Sequence, residues 1–226
     1  MNEETNPLDE LSLVGGRLCL DFTNTVGSRG VAVERDRLKG YPELLWWGVR
    51  AGVLAEVERR ELMRRAEERP AAAEAVFRRA LEFREASWRV FRAAEDGAAP
   101  DPADLETVNR EVARAMGHAR IVADAEGGFA WGWDDSPEAD RVLWPVARDA
   151  AELLTSSELG RVGRCAAESC GWLYLDTSRN RSRRWCDMRD CGNRAKVRRH
   201  YRRRRGAGAD GGGSEPGGPH QRDASP

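Results

Sequence analysis

Long hydrophobic runs are missing from this sequence, and no stretch approaches the roughly 18 consecutive apolar residues that a membrane-spanning helix needs. The first ten residues, MNEETNPLDE, are acidic and lack the basic and then apolar order of a secretory signal. These two absences argue against a membrane partner. They lead us to expect a cytoplasmic, nucleoid-associated protein, in a compartment where thiols stay reduced.

Histidine is also scarce. The three histidines are His118, His200 and His220, and none stands beside a nucleophile in a recognisable catalytic motif. The many carboxylates fall on the faces of predicted helices, where solvation explains them. We therefore expect that the protein is not an enzyme.

The formal net charge of −1 conceals a strong asymmetry along the chain. Residues 161–205 contain 15 Lys and Arg against four acidic residues, whereas residues 1–160 contain 21 basic and 31 acidic residues. A chain divided in this way has an acidic body and a basic module, and such a module usually meets a polyanion.

Apolar residues at three- and four-residue steps predict helices from residue 42 to about 118, and again from Ser136 to 156 with a kink at Pro145. Alternation in LVGGRLCLDFTNTV, residues 13–26, predicts a short strand. Two β-prone runs around Gly127-Gly128 predict a hairpin. The expected fold class is mainly α with small β elements (α+β).

Composition divides the chain into four segments. We expect a flexible leader at 1–12, a multihelical domain at 13–160, a small finger at 161–205 and a disordered Gly- and Pro-rich tail at 206–226.

Four late cysteines follow the pattern Cys165-x4-Cys170-x15-Cys186-x4-Cys191, and the fifth, Cys19, stands alone among apolar neighbours as a buried thiol. Two close pairs of thiols separated by a hairpin-sized insert match a tetrahedral four-sulfur zinc site. An iron–sulfur centre or redox disulfides are the alternatives. We expect one structural zinc ion, whose binding supplies the stability that so small a domain lacks.

The residues around these cysteines predict a treble-clef-like layout. An apolar strand at Trp172–Leu175 precedes a polar turn and a return towards Trp185. Gly192 allows a sharp turn after the last cysteine, and Asn193 is a favoured helix cap before RAKVRRHYRRRR. The two tryptophans are expected to pack against the zinc site or each other.

Basic residues on the predicted hairpin and helix suggest a continuous phosphate-binding surface. The candidates are Arg179, Arg181, Arg183, Arg184, Arg194, Lys196, Arg198, Arg199, Arg202 and Arg203. Double-stranded DNA is the expected partner. The alternatives are RNA stacked on Trp172, Tyr174, Trp185 and Tyr201, a zinc–thiolate redox switch, or a finger masked by the acidic body.

The segment RCAAESCGWLYLDTSRNRSRRWCDMRDCGNRAKVRRHYRR resembles the CGNR zinc finger, whose tetrapeptide stands at Cys191–Arg194. The segments GGRLCLDFTNT (15–25), YPELLWW and LWPVARDAAELLTS (143–156) resemble the ABATE domain that commonly precedes this finger. The resemblance implies a bacterial transcriptional regulator, proposed to be linked to stress, with a ligand-sensing N-terminal domain. It also implies that Cys165, Cys170, Cys186 and Cys191 hold the zinc.

The N-terminal domain is expected to sense a small-molecule effector or to form a homodimer. Asp21, Asn24 and Arg29, around LDFTNT, are the polar candidates for a ligand pocket. The alternative is that Asp21 and Asn24 satisfy backbone groups at the end of a strand.

Overall fold

Seven α-helices and three two-stranded antiparallel sheets form the described part of the chain, which confirms the expected mainly α fold with small β elements. The computed structural model describes residues 8, 11–29, 31, 34–125 and 127–207, and in the last helix it describes side chains as far as Arg199 and that of Tyr201. Most of the expected leader, and residues 208–226 of the expected tail, lie outside these residues. Residues 206 and 207 end the last helix.

The helices are α1 (Leu18–Thr23), α2 (Tyr41–Arg50), α3 (Glu56–Glu68), α4 (Pro70–Glu95), α5 (Pro102–His118), α6 (Trp144–Thr155) and α7 (Asn193–Ala207). The strands pair in chain order: β1 (Val26–Gly27) with β2 (Arg35–Asp36), β3 (Ala119–Ala123) with β4 (Phe129–Trp133), and β5 (Val162–Arg164) with β6 (Leu173–Leu175).

The strand predicted within residues 13–26 is wrong, because the alternating residues Leu18, Leu20 and Phe22 lie in the helix α1. The Asn24 N–H donates to the Leu20 carbonyl at 3.0 Å, and the Thr23 hydroxyl donates to the same oxygen at 2.8 Å. Four of the six α1 residues are buried, so this helix is surrounded by protein on more than one side. A short helix without a polar face has no three- and four-residue periodicity to distinguish it from a strand.

The main core forms where α1 packs between α4 and α6. The Phe22 ring lies 4.9 Å from Trp47 and 6.0 Å from Phe83, measured between ring centroids, and all three side chains are fully buried. Large aromatic side chains of this kind dominate the apolar area removed from water on folding. No helix in the described part of the chain is long and apolar enough to cross a membrane.

The expected flexible leader is packed against this core where it is described. Leu8 is 4% exposed and Leu11 is 2% exposed, and both belong to the main hydrophobic cluster. Burial of two leucines at these positions stabilises the fold by roughly 1.5–3 kcal/mol for each side chain.

Helix starts follow the local sequence signals in most places. The Asp101 carboxylate accepts a hydrogen bond from the Ala103 N–H at 2.8 Å, and so caps α5 ahead of Pro102. The helix start predicted at Ser136 is wrong, because α6 begins at Trp144. The kink predicted at Pro145 is therefore absent, and the proline lies in the first turn of the helix. A proline loses no hydrogen bond there, since the first turn of a helix has no partner for its N–H groups.

The C-terminal region is built onto the helical domain. The Leu175 N–H donates to the Gly15 carbonyl at 2.7 Å, while Val162, Leu173 and Leu175 join the main core. The hairpin predicted within residues 172–185 is wrong, since β6 pairs with β5, which precedes the first cysteine. The apolar side chains of β6 are covered by the main core, which a hairpin folded inside the finger would not provide.

Two helical glycines give a matched test of core packing. A Cβ at Gly48 would lie 2.7 Å from Val142 Cγ2 and 2.9 Å from Leu54 Cδ1, whereas a Cβ at Gly117 would meet no heavy atom within 4 Å. We expect Gly48→Ala to lower the free energy of unfolding by about 1–3 kcal/mol through overpacking. Gly117→Ala should raise it by about 0.5–1 kcal/mol through helix propensity. Urea unfolding at fixed zinc concentration measures both, and equal effects would contradict the close packing at Gly48.

Candidate metal centre and basic surface

Four cysteine sulfurs converge at one buried point beside the helical domain. The Sγ atoms of Cys165, Cys170, Cys186 and Cys191 all lie within 4.8 Å of one another. Cys186 Sγ is 3.6 Å from both Cys170 Sγ and Cys191 Sγ. A zinc ion bound at about 2.3 Å to four sulfurs places those sulfurs about 3.8 Å apart. The donor set and its geometry therefore fit one tetrahedral zinc ion.

The first pair of cysteines is positioned by β6 and by the loop that follows it. The Cys165 N–H donates to the Trp172 carbonyl at 2.9 Å, and the Ala166 N–H donates to the Arg184 carbonyl at 2.8 Å. Trp172 also donates from its indole nitrogen to the Val26 carbonyl at 2.8 Å, which ties the site to the helical domain. As expected, Trp172 and Trp185 both pack against the cysteine cluster.

The second pair is positioned by a single π-helical turn, Met188–Gly192, which leads directly into α7. Asp187 caps this turn, because its carboxylate accepts a hydrogen bond from the Arg189 N–H at 2.7 Å. Gly192 is buried, and a Cβ there would lie 2.8 Å from Met188 Sδ. Asn193 is the first residue of α7 and donates to the Arg189 carbonyl at 3.0 Å, so the cap belongs to Asp187 instead of Asn193.

Positive charge approaches the sulfurs from both parts of the chain. Arg194 Nη2 lies 3.1 Å from Cys191 Sγ and 3.1 Å from the Asp190 carboxylate. Arg37 lines a cavity of about 220 Å³ together with Cys170, Cys186 and Arg194. Four thiolates around Zn²⁺ carry two net negative charges, and nearby guanidinium groups offset the cost of burying them.

The thiols also interact with one another. Hydrogen bonds from Cys170 and Cys186 hold the pKa of the Cys165 thiol well below its ordinary value, which favours the thiolate form of this sulfur. Zinc is bound by thiolates, and its binding releases the protons that remain on the other sulfurs.

Arg183, predicted to bind nucleic acid, is instead turned into the protein. Its guanidinium donates to the carbonyls of Leu175, Trp185, Cys186 and Val14, at distances of 2.5–3.1 Å. It also stacks on the Tyr174 ring, 4.3 Å from the centroid. One side chain thus joins the segment before α1, the end of β6 and the backbone of a zinc ligand, and its donors are used within the protein.

Four other predicted residues lie together on one surface. Arg184, Lys196, Arg198 and Arg199 line a cleft of about 410 Å³ between α7 and the loop after Cys165, and Trp185 lies in its wall. Glu168 is the one acidic residue in this lining. We call this the basic cleft. Ala166 and Ala195 also line the basic cleft. Ala166 and Glu168 are distant from α7 in sequence, and only the fold brings them beside it.

The remaining predicted contacts are distributed differently. Arg179 and Arg181 are exposed on the loop after β6, and Arg194 is engaged with Cys191 and Asp190. The side chains of Arg202 and Arg203 lie outside the described residues.

The residues proposed for a ligand pocket make internal hydrogen bonds. Asp21 Oδ1 accepts from the Gly15 N–H at 2.7 Å. The Asn24 amide bonds both the N–H and the carbonyl of Leu173, at 2.9 and 2.8 Å. Arg29 pairs with Glu85 at 2.6 Å and lies over the Trp88 ring. These contacts support the alternative role, in which Asp21 and Asn24 satisfy backbone groups. The backbone groups were expected at the end of a strand, whereas the structure has the helix α1 there.

The fold and the sulfur site together define a zinc-finger protein whose finger is fused to a helical domain. Residues 16–157 match the family model of ABATE, described as "Putative stress-induced transcription regulator", and residues 161–204 match that of the CGNR zinc finger. The chain therefore belongs to the ABATE family and ends in a CGNR zinc finger, which confirms the resemblance seen in the sequence. No curated protein matches the chain.

Replacement of Arg183 tests its role as an internal connector. Arg183→Gln removes hydrogen bonds to four carbonyl groups, and we expect it to lower the free energy of unfolding by about 3 kcal/mol. Zinc transfer to a chromophoric chelator should become faster. The neighbouring Arg184→Gln changes an exposed side chain and should stay within about 0.5 kcal/mol of the parent. Similar losses for the two variants would show that Arg183 acts only through its charge.

The pH dependence of the free energy of unfolding tests the burial of the Asp21 carboxyl. Burial raises the pKa of the Asp21 carboxyl to about 6, so the folded chain holds this proton more tightly than the unfolded chain does. The stability gained from protonation is therefore lost as pH rises towards and through that pKa. Asp21→Asn keeps an acceptor for Gly15 and carries no charge. We expect the stability of the variant relative to the parent to rise by about 1–2 kcal/mol between about pH 5 and about pH 7. Parallel stability–pH curves from urea unfolding would contradict this.

Proposed function

We propose that the protein is a transcriptional regulator that binds double-stranded DNA through the basic cleft and the exposed face of α7. The observation that supports this proposal is the basic cleft itself, where Arg184, Lys196, Arg198 and Arg199 surround a single acidic residue. Within the described part of the chain, no ion pair joins Lys196, Arg198 or Arg199 to an acidic side chain. Cations that are not neutralised by the protein are suited to phosphate groups, since binding releases condensed counterions.

The zinc site supports the proposal because it fixes the base of α7. Cys191 lies in the π-helical turn, two residues before Asn193 begins the helix. α7 has few apolar residues, and Val197 and Tyr201 are 54% and 61% exposed, so little packing holds the helix in place. A structural zinc ion held by four cysteines would supply that anchor. A complete set of protein ligands leaves no open position on the metal for a substrate, so in this proposal the protein is not an enzyme.

The positions of the aromatic residues favour a duplex over single-stranded RNA. Tyr174 is 3% exposed and donates its hydroxyl to the Arg183 carbonyl, while Trp172 faces the helical domain. Single-strand readers stack bases on exposed aromatic rings. Of the four residues considered for stacking, Tyr201 alone is largely exposed, while Trp172 and Trp185 are half-buried and Tyr174 is buried.

Burial of the sulfurs counts against the redox alternative, and the ion pairs count against masking by the acidic body. The four cysteines are between 0% and 6% exposed, and thiol oxidation follows solvent access. Among the finger side chains that the structure describes, Arg164 is the one paired with acids of the body, 3.6 Å from Glu95 and 3.8 Å from Asp96, and it lies far from α7 in sequence.

The helical domain, in this proposal, senses an effector or carries the association of two chains. Its contact with the finger offers a route for such control. The Arg29 N–H donates to the Cys170 carbonyl at 3.2 Å, and Trp88 Nε1 donates to the Gly171 carbonyl at 3.1 Å. Any movement of α4 or of the segment after α1 would therefore reach the first pair of zinc ligands. Association with the nucleoid follows from DNA binding.

Binding to a duplex of random sequence across a salt series tests the proposal. We expect affinity to fall steeply with salt, and we expect Arg198→Ala with Arg199→Ala to reduce the slope of log K against log salt by about 2. The matched control is Arg78→Ala with Arg110→Ala, which removes two exposed arginines of the helical domain and should leave the slope unchanged. Zinc content confirms that the finger is intact in each variant.

Two results would contradict the proposal. One is a lack of binding at low salt by the zinc-loaded chain, and the other is a slope unchanged by the Arg198 and Arg199 substitutions. Single-stranded RNA that displaces the duplex at equal nucleotide concentration would favour the RNA alternative.

A further inference from the structure

The β3–β4 hairpin carries an apolar face that the described part of the chain leaves largely uncovered. The register pairs Ile121 with Trp131 and Ala123 with Phe129. Because side chains alternate along a strand, these residues share one face with the Ala119–Trp133 pair, and that face has no polar side chain. Phe129 is 81% exposed, Ile121 is 71% exposed and Trp131 is 48% exposed. We call these three side chains the hairpin patch.

The base of the hairpin is fixed to the core. Trp133 lies 5.9 Å from the buried Trp144, measured between ring centroids, and the Asp134 N–H donates to the His118 carbonyl at 2.9 Å. Arg148 of α6 lies over the Trp131 ring, 4.9 Å from its centroid. Contacts of both strands and of α6 therefore fix the orientation of the hairpin patch relative to the core.

The exposure of the hairpin patch is costly for a monomer. A hairpin of two strands is marginally stable in water unless its apolar face is covered. Taking about 200 Å² for each large side chain, the patch exposes on the order of 400 Å². Patches of that size on soluble monomers commonly mark an interaction site.

We propose that the hairpin patch is the interface of a homodimer, in which the patch of one chain packs on the same patch of a second copy. A two-fold contact requires a surface that matches itself, and a face without charges or unpaired polar side chains meets that requirement. The patch supplies about half of the roughly 800 Å² that each partner buries in a standard interface, and its polar surroundings would supply the rest.

This inference deepens the homodimer part of the proposed function, since two fingers related by a two-fold axis would meet two half-sites on DNA. Its test needs no nucleic acid. Sedimentation equilibrium of the zinc-loaded full chain over a wide concentration range should reveal a species of twice the 25.2 kDa chain mass.

Single substitutions then locate the interface. Phe129→Glu and Ile121→Glu place a charge on the patch, and each should weaken dimerisation by about 100-fold or more. Val57→Glu is the matched control, because Val57 is 72% exposed on α3, and this variant should dimerise like the parent. The substituted side chains are largely exposed, so the variants should fold, and circular dichroism with zinc content confirms it.

Amide hydrogen exchange gives a second measurement that does not depend on any variant. Residues 119–133 should become more protected as the concentration of the parent chain rises through the dissociation constant. A parent chain that stays monomeric at every concentration overturns the proposal, and so does a dimer that persists in Phe129→Glu or a series of larger assemblies. A chain that binds DNA but stays monomeric at every concentration would overturn the dimer alone, whereas a dimer that binds no DNA would overturn the DNA proposal alone.

Discussion

Burial of four zinc-binding thiolates is the constraint on which the C-terminal region depends. A zinc tetrathiolate carries two net negative charges, and in a buried position these need hydrogen bonds and nearby cations. Arg194 meets this need at Cys191, 3.1 Å from its sulfur. Arg183 holds the surrounding carbonyl groups in place. Part of the positive charge of the finger therefore serves the metal site, and the charge available to a partner lies in the basic cleft and on the exposed Arg179 and Arg181.

The same region packs the finger closely against the helical domain. Asn24, close after α1, makes two hydrogen bonds to the backbone of Leu173, which follows it by 149 residues. Side chains of β5 and β6 complete the main core, so the zinc site rests on residues that the helical domain covers. In such an arrangement, a zinc ion bound by the folded chain would stabilise the helical domain as well as the finger, because the two parts share buried contacts.

Local signals in the sequence predicted the elements that depend on neighbouring residues. The helices α2 to α5 follow their apolar periodicity, and Asp101 and the prolines mark where several helices begin. The spacing of the cysteines predicted the four-sulfur cluster, since four thiols in two close pairs match the ligand pattern of a structural zinc site. The failures have a common cause: α1 and β6 are buried among segments distant in sequence, and these segments decide the conformation of α1 and the strand with which β6 pairs.

The sequence by itself determined the donor set of the metal site, the helical class of the fold and the concentration of positive charge after residue 160. Only the tertiary structure decided which arginines face inward and which line the basic cleft, because Arg183 and Arg184 are neighbours with opposite environments. It also decided that Asp21, Asn24 and Arg29 bind the protein's own groups and that an apolar hairpin face stays exposed. The physical reason is that burial and hydrogen bonding depend on contacts between distant segments, which residue spacing does not encode.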